Sequence, residues 1–254
     1  MPANDTRTVG SVQRTCRIIE ILQAKGETRI TDLSEEVEFS KSTVHGHLAT
    51  LVNEGLVVKD DHTYRLSLQF LDIAESLKNR IADHNIVRER VRELAEETGE
   101  VVHFGVEENG RVVYLAKSKG NAAVRTESKI GKQMPMHSTS LGKAILAEFP
   151  RDRVECIVQQ QELAKRTKNT LTNLESLHED LDTIEERGYS IDDEENIPGV
   201  RCIGIAVTVP EADVLGALSI SGPSQRITDD RIENELHEQL AQAANVIEVN
   251  SMYS

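Results

Sequence analysis

The chain has 254 residues, 38% of them hydrophobic and 28% charged, with a formal net charge of -14. That balance supplies the core of one large or two ordinary domains, and no apolar run approaches the roughly 18 residues that a membrane span needs. The opening "MPANDTRTVGSVQR" lacks the apolar core of a signal peptide, so a cytoplasmic protein with no membrane partner is expected.

Val12 to Ala24 is expected as an amphipathic helix with Val12, Cys16, Ile19 and Leu22 at helical spacing and Gly26 as its stop. Thr31 is placed to cap a short second helix, Asp32 to Val37, in which Leu33 and Val37 share a face. Phe39-Ser40 makes the turn. Ser40 then caps a third helix to about Glu54, ended by Gly55. On it Val44, Leu48, Leu51 and Val52 fall on one side, and Ser42, Thr43, Gly46, Thr50 and Asn53 on the other, with His45 and His47 at the borders. Strands Leu56 to Lys59 and Thr63 to Leu66 follow, joined through Asp60, Asp61 and His62. Helix, helix, turn, helix and hairpin make a winged helix-turn-helix. Ser67 to Asp83 predicts a further helix, striped by Leu68, Leu71, Ala74 and Leu77, with no core of its own to join. A connecting helix that can pack against its own copy is the natural expectation.

From Asn85 the pattern changes. A helix from Ile86 to Thr98 ends at Gly99, and strands Val101 to Val106 and Arg111 to Lys117 flank Asn109-Gly110, a strong hairpin signal. Helices are expected over Ser138 to Glu148, Leu171 to Arg187 and about Asp229 to Asn250. Strands are expected over Tyr189 to Asp192, Ile203 to Val209 and Gly216 to Ser221. Strands bounded by helices suggest an α+β sensor domain around an antiparallel sheet. The three cysteines form no CxxC pair, which argues against a zinc ribbon or disulfide framework. Cys16 and Cys156 are expected as buried free thiols.

The acidity is uneven. Residues 1–80 hold 10 Lys+Arg against 12 Asp+Glu, and the rest hold 19 against 31. Arginines outnumber lysines 18 to 11, and an acidic, lysine-poor surface suits concentrated salt. An archaeal, salt-loving host and an acidic mesophilic one both fit this balance.

The segments "SVQRTCRIIEIL", "KSTVHGHLATLVNEGLV" and "YRLSLQFLDIA" resemble the N-terminal part of IclR-type transcriptional regulators. "VRELAEETGE", "VVYLAKSKG", "GKQMPMHSTSLGKAILA", "RGYSIDDEENIPGVRCIGIAV" and "GALSISGP" resemble their C-terminal part, in the same order. The resemblance implies a winged helix-turn-helix over residues 1–67, a linker helix over 68–84 and a GAF-like α/β effector-binding domain over 85–254. It also implies a homodimer or tetramer that binds double-stranded operator DNA under control of a small-molecule effector, with no cofactor and no metal.

For the third helix, the expected contacts are Ser40, Lys41 and Ser42 to phosphates and Thr43, Gly46 and His47 near base edges, with His45 on the same exposed side. Hydroxyl residues at a helix start also serve as plain caps. Relatives often carry arginine and an apolar residue where this chain has Gly46 and His47, so operator sequence does not transfer from them. In the wing, Lys59 and Arg65 are candidates for the flanking backbone, as are Arg7 and Arg14 at the chain start.

In the C-terminal half, Ser138, Thr139 and Ser140 stand at a helix start, where free N–H groups suit a carboxylate or phosphate. The resemblance places Ser140 and Leu141 in the effector pocket, with Asp192 and Cys202 facing the ligand. Ser219 and Ser221, two apart on a strand, share a face and add hydroxyls. Asp192 to Glu195, a run of four acids, fits a solvated loop. Cys202, His137 and Asp192 are also the residue types of a cysteine nucleophile site. The apolar neighbours Val200 and Ile203 oppose activation of the thiol, so no enzyme is expected.

Overall fold

The computed structural model describes residues 8–78, 84–123, 128–209 and 212–252, which leaves Arg7 outside. The chain divides into two compact units, Met1–Leu77 and Lys78–Ser254.

The first unit holds α1 (Gly10–Lys25), α2 (Ile30–Glu36), α3 (Lys41–Asn53) and an antiparallel sheet of β1 (Thr28–Arg29), β2 (Val57–Asp60) and β3 (Thr63–Leu66), in the order β1-β3-β2. Its core is Ile18, Leu22, Leu33, Val44 and Leu48, with Leu51, Val57 and Tyr64 closing the sides. Gly55 at φ +75 turns the chain out of α3 into the wing.

The apolar face of α1 is only partly the expected one, since Leu22 is buried and Ile19 packs against the core as expected. Ile18, Ile21 and Leu22 are buried, whereas Val12 and Cys16 are exposed. At about 100° per residue, Cys16 lies on the far side of the helix from Ile18. Cys156 is exposed as well, so neither thiol is buried. Helix α2 begins at Ile30 after Arg29, without a side-chain cap. Thr31 donates to Asp32 at 3.0 Å instead of capping. The expected connecting helix is present as α4 (Gln69–Lys78), and the remainder of that expected span falls on residues 79–83, outside the described residues. None of the α4 side chains is buried. Leu71 and Leu77 are 66% and 55% exposed, and Leu68 just before the helix 75%.

The second unit is built on one antiparallel sheet of six strands, in the order β6-β5-β4-β9-β8-β7. Its strands are β4 (Val101–Glu108), β5 (Arg111–Lys119), β6 (Gln133–Pro135), β7 (Ser190–Asp193), β8 (Val200–Val209) and β9 (Ala212–Pro223). Asn109 and Gly110 both take positive φ in the β4–β5 hairpin, as that dipeptide predicts. One face packs under α5 (His84–Thr98) and α10 (His237–Ser251), around Phe104, Ile203, Leu218 and Ile220. The other packs under α6 (Ser140–Ala147), α7 (Arg151–Gln161) and α8 (Leu174–Arg187), around Val112, Leu141, Ile145 and Leu177. Strand residues therefore alternate between two cores.

Three features depart from expectation. Helix α7 follows Pro150 and buries only Val154 and Ile157, too sparse a stripe to show in the sequence. The C-terminal helix is broken into α9 (Asp229–Arg231), a π-turn over Ile232–Leu236 and α10. The run of four acids is not a solvated loop throughout, because Asp192 and Glu195 are buried. The entry to β4 is fixed by buried Glu100, whose carboxylate accepts from Arg226 at 2.6 and 2.8 Å and from Arg231 at 3.1 Å.

Candidate DNA-binding helix and effector site

Helix α3 is capped as its sequence predicts. The Ser40 hydroxyl accepts from the Thr43 N–H at 3.1 Å and lies 2.9 Å from the Thr43 hydroxyl. With Val44, Leu48 and Leu51 buried, Lys41, Ser42, His45 and Gly46 are left exposed, and Thr43 half-buried. His47 is also half-buried, with its Nδ1 2.8 Å from the Thr15 hydroxyl of α1. Ser11, Thr15, Ser42, Thr43, Gly46 and Thr50 line a groove of about 400 Å³ between α1 and α3, and among the described residues no carboxylate lines it. Arg14 stacks its guanidinium over Phe39 at 4.9 Å. On the wing, Lys59 and Arg65 are exposed, and Asp61 forms the turn at φ +45.

In the second unit, sheet register assembles residues that are far apart in sequence. Asp192, Cys202 and Ser221 are direct cross-strand neighbours on β7, β8 and β9. The next row on the same face is Ser190, Gly204, Ser219, His103 and Lys117. Helix α6 begins directly above Gly204. A Cβ there would come within 2.8 Å of the Ser140 carbonyl, so glycine is what allows the helix start to lie on the sheet. The Ser190 hydroxyl donates to the Ser140 carbonyl at 2.6 Å and locks the contact. Thr139 caps α6, and Ser138 before it is fully buried with its hydroxyl unpaired among the described residues. Leu141 is 1% exposed and packs within the apolar cluster beneath α6. All six expected effector residues thus lie on this face or at the helix start above it.

The electrostatics of the face are set by burial. Asp192 accepts backbone N–H bonds from Glu195 at 2.8 Å and Asn196 at 3.2 Å. Burial, and secondly the charge of Glu195, still push its carboxyl up to about 7. Glu195 is held by buried Lys143 of α6 at 2.5 Å, and Lys143 also reaches Asp180 at 2.7 Å. Burial and the neighbouring Asp192 push the Cys202 thiol well above its usual range, so it is no thiolate nucleophile. His137 is buried with its Nε2 3.2 Å from the Ala164 carbonyl, a packed residue and not a partner for Cys202. Among the described residues no cluster of three metal-ligating side chains occurs.

Sequence reasoning missed His103, Tyr114 and Lys117. His103 is 3% exposed, stacks on Tyr114 at 4.6 Å, and is held neutral by burial and by Lys117 and Lys119, its pKa pushed down to about 3. The expected strand Val101 to Val106 does put His103 on the same face as Val101, two residues away. What no local signal supplied was the identity of its neighbours, which sheet register brings from β5 and β9.

Two family profiles match the chain. One, described as the IclR helix-turn-helix domain, covers residues 11–61, and one, described as bacterial transcriptional regulator IclR C-terminal, covers residues 80–249. The probable HTH-type transcriptional regulator ArcR of Halobacterium salinarum is 31% identical, over 96% of this chain and 95% of its own. The HTH-type transcriptional regulator KdgR of Escherichia coli is 36% identical, over 88% and 87%. The crystal structure of Thermotoga maritima IclR superposes with a TM-score of 0.80 at 26% identity, covering 94% of this chain and 98% of that one.

Proposed function

Because the chain belongs to the IclR family of transcriptional regulators, with its DNA-binding helix-turn-helix and its C-terminal effector-binding domain, we propose specific roles for the residues of both units. Helix α3 enters the major groove. Lys41 and Ser42 hold phosphates, Thr43, His45, Gly46 and His47 lie toward base edges, and Lys59 and Arg65 of the wing hold the flanking backbone. Arg14 adds a backbone contact. In the second unit the effector lies between the start of α6 and the sheet, against Ser140, Leu141, Asp192, Cys202, Ser219 and Ser221. The observation that supports this assignment is the pair of adjacent cross-strand rows, Asp192, Cys202 and Ser221 in one and Ser219 in the next, that lie beneath the helix start carrying the other two.

The effector is a small organic acid. Free N–H groups at the start of α6 and the buried Ser138 hydroxyl, unpaired among the described residues, favour an anion there. The protein acts as a homodimer in the cytoplasm. The exposed apolar stripe of α4, with Leu71 and Leu77 each more than half exposed and Leu68 just before the helix 75% exposed, supports pairing of two such helices. Two half-sites then make the operator roughly palindromic. Effector binding changes operator affinity only through a difference in its affinity for the two arrangements of the dimer. The relatives are named as regulators and Cys202 is held as a thiol, so control of transcription and not turnover is its activity.

The test is selection of bound duplexes from genomic fragments, followed by anisotropy titration. A specific duplex should bind with an affinity that falls with salt, and Lys41→Ala should lower the salt slope by about one. A pool in which no duplex is enriched over competitor would overturn the DNA-binding role.

A further inference from the structure

We propose that His47 selects a base carrying an exocyclic amino group, adenine or cytosine, in the major groove, through a bare Nε2 that Thr15 of α1 holds as an acceptor. The proposal rests on the DNA-binding role assigned to α3 above and names the class of base that one of its side chains reads.

Proton accounting supplies the tautomer. A hydroxyl has one proton to give, and a carbonyl can only accept. The Thr15 hydroxyl donates to the Ser11 carbonyl, one turn back on α1, at 3.0 Å. It therefore meets His47 Nδ1, 2.8 Å away, with a lone pair, and the proton of that contact belongs to Nδ1. In a neutral imidazole one nitrogen carries the proton and the other accepts, and the partner of the first decides which. Nε2 is thus the acceptor. It lies across the ring from Thr15 and has no partner among the described residues. Thr15 acts through His47 and is a positioning residue.

The surroundings supply the partner. The His47 ring lines the groove between α1 and α3, beside Gly46, which has no side chain to screen it. Thr50 lines the same groove, is exposed, and also gives its proton to a carbonyl, that of Gly46 at 3.1 Å. Its oxygen too is left as an acceptor. Residues three apart on a helix are neighbours on its surface, so the two acceptors stand together. In the major groove the donors that base edges offer are the amino groups of adenine and cytosine, whereas guanine and thymine present acceptors. Phosphate oxygens are acceptors as well, and a bare Nε2 has nothing to donate to them. The pair is therefore matched to a base edge that donates, and not to the DNA backbone.

The experiment uses the full chain with ¹⁵N-labelled histidine and the duplex enriched from genomic fragments. Ring ¹⁵N shifts of the free protein, with the His47 signal assigned by its absence from His47→Leu, should show Nδ1 protonated and Nε2 bare. In anisotropy titrations each adenine and cytosine of the half-sites is replaced in turn by purine or 2-pyrimidinone, the analogues without the amino group. One position should lose about tenfold in affinity. His47→Leu should bind the parent and analogue duplexes at that position alike, to within about twofold. Thr15→Val should shift the ring proton toward Nε2 and remove the same base preference, while Thr15→Ser should keep both. A ring protonated at Nε2 in the free protein would overturn the proposal and leave the DNA-binding role standing. So would an enriched duplex that tolerates every analogue, or a gap between parent and analogue that persists in His47→Leu while all duplexes weaken equally, as loss of a phosphate contact would cause. A pool with no enriched duplex overturns the DNA-binding role and this proposal with it.

Discussion

Gly46 sits inside α3, where a methyl group would meet nothing within 4 Å. Nothing in the unit's own packing calls for a glycine there, and a helix-interior glycine costs about 1 kcal/mol relative to alanine. The close approach of DNA proposed for this helix would account for the bare position. Gly46→Ala should therefore stabilise the first unit by about 1 kcal/mol in urea unfolding while weakening operator binding by about tenfold, roughly 1.4 kcal/mol. A variant that is stabilised with operator affinity unchanged would refute that explanation. Asp192 gives a pH signature. Its carboxyl titrates near 7 in the fold, above the ordinary carboxylate range. The stability associated with its neutral form is fully present below the unfolded pKa of about 4 and is lost as pH rises through about 7. An anionic effector beside it favours the protonated form, so effector affinity should also fall between pH 6 and 8. Asp192→Asn keeps the acceptor for Glu195 and Asn196 but removes the titration, so both pH dependences should flatten in melting and calorimetry series. Residue-level chemistry was partly legible in the sequence. Ser40 and Gly188 announced themselves as a helix cap and a helix stop, because those roles depend only on local backbone geometry. The burial of Asp192 and Glu195 did not, because it depends on Lys143, some fifty positions away.

At the scale of elements, legibility followed amphipathic contrast. The hairpin at Asn109-Gly110, helix α8 and the paired strands β8 and β9 declare themselves because one local rule governs each. Helix α7 and the π-turn before α10 stayed hidden. The first buries too few side chains to mark a period, and the second is a register slip that no residue type specifies. The face of α1 was half right, with Leu22 and Ile19 on the core, but Val12 and Cys16 took the places at helical spacing that Ile18 and Ile21 in fact fill. Helix α4 is the reverse case, a stripe that is plain in the sequence and that no described residue of its unit buries. Leu71→Lys with Leu77→Lys should shift sedimentation equilibrium from dimer toward monomer, without lowering the melting temperature of the second unit. A dimer that persists through both substitutions would place the interface elsewhere.

For the whole molecule, the distribution of charge is the informative quantity. Most of the acidic excess lies in residues 81–254, with 19 Lys+Arg against 31 Asp+Glu, whereas residues 1–80 hold 10 against 12. At molar salt the Debye length is about 3 Å, so the acidic body repels DNA little. Counterion release also contributes little there, and hydrogen bonds and shape must carry more of the affinity. Operator binding should therefore persist at salt that abolishes binding by an arginine-rich relative, a comparison that parallel anisotropy titrations from 0.1 to about 1 M make directly. The pleat of the central sheet has a different use. Residues 103, 117, 192, 202, 219 and 221 lie on the α6 face, where the effector site is proposed, whereas 102, 104, 203, 218 and 220 belong to the opposite core. Specificity and folding are thereby written on alternate letters of the same strands. A combinatorial library confined to the first set leaves the second intact, so the chain is suited to laboratory conversion into reporters for metabolites it has never met.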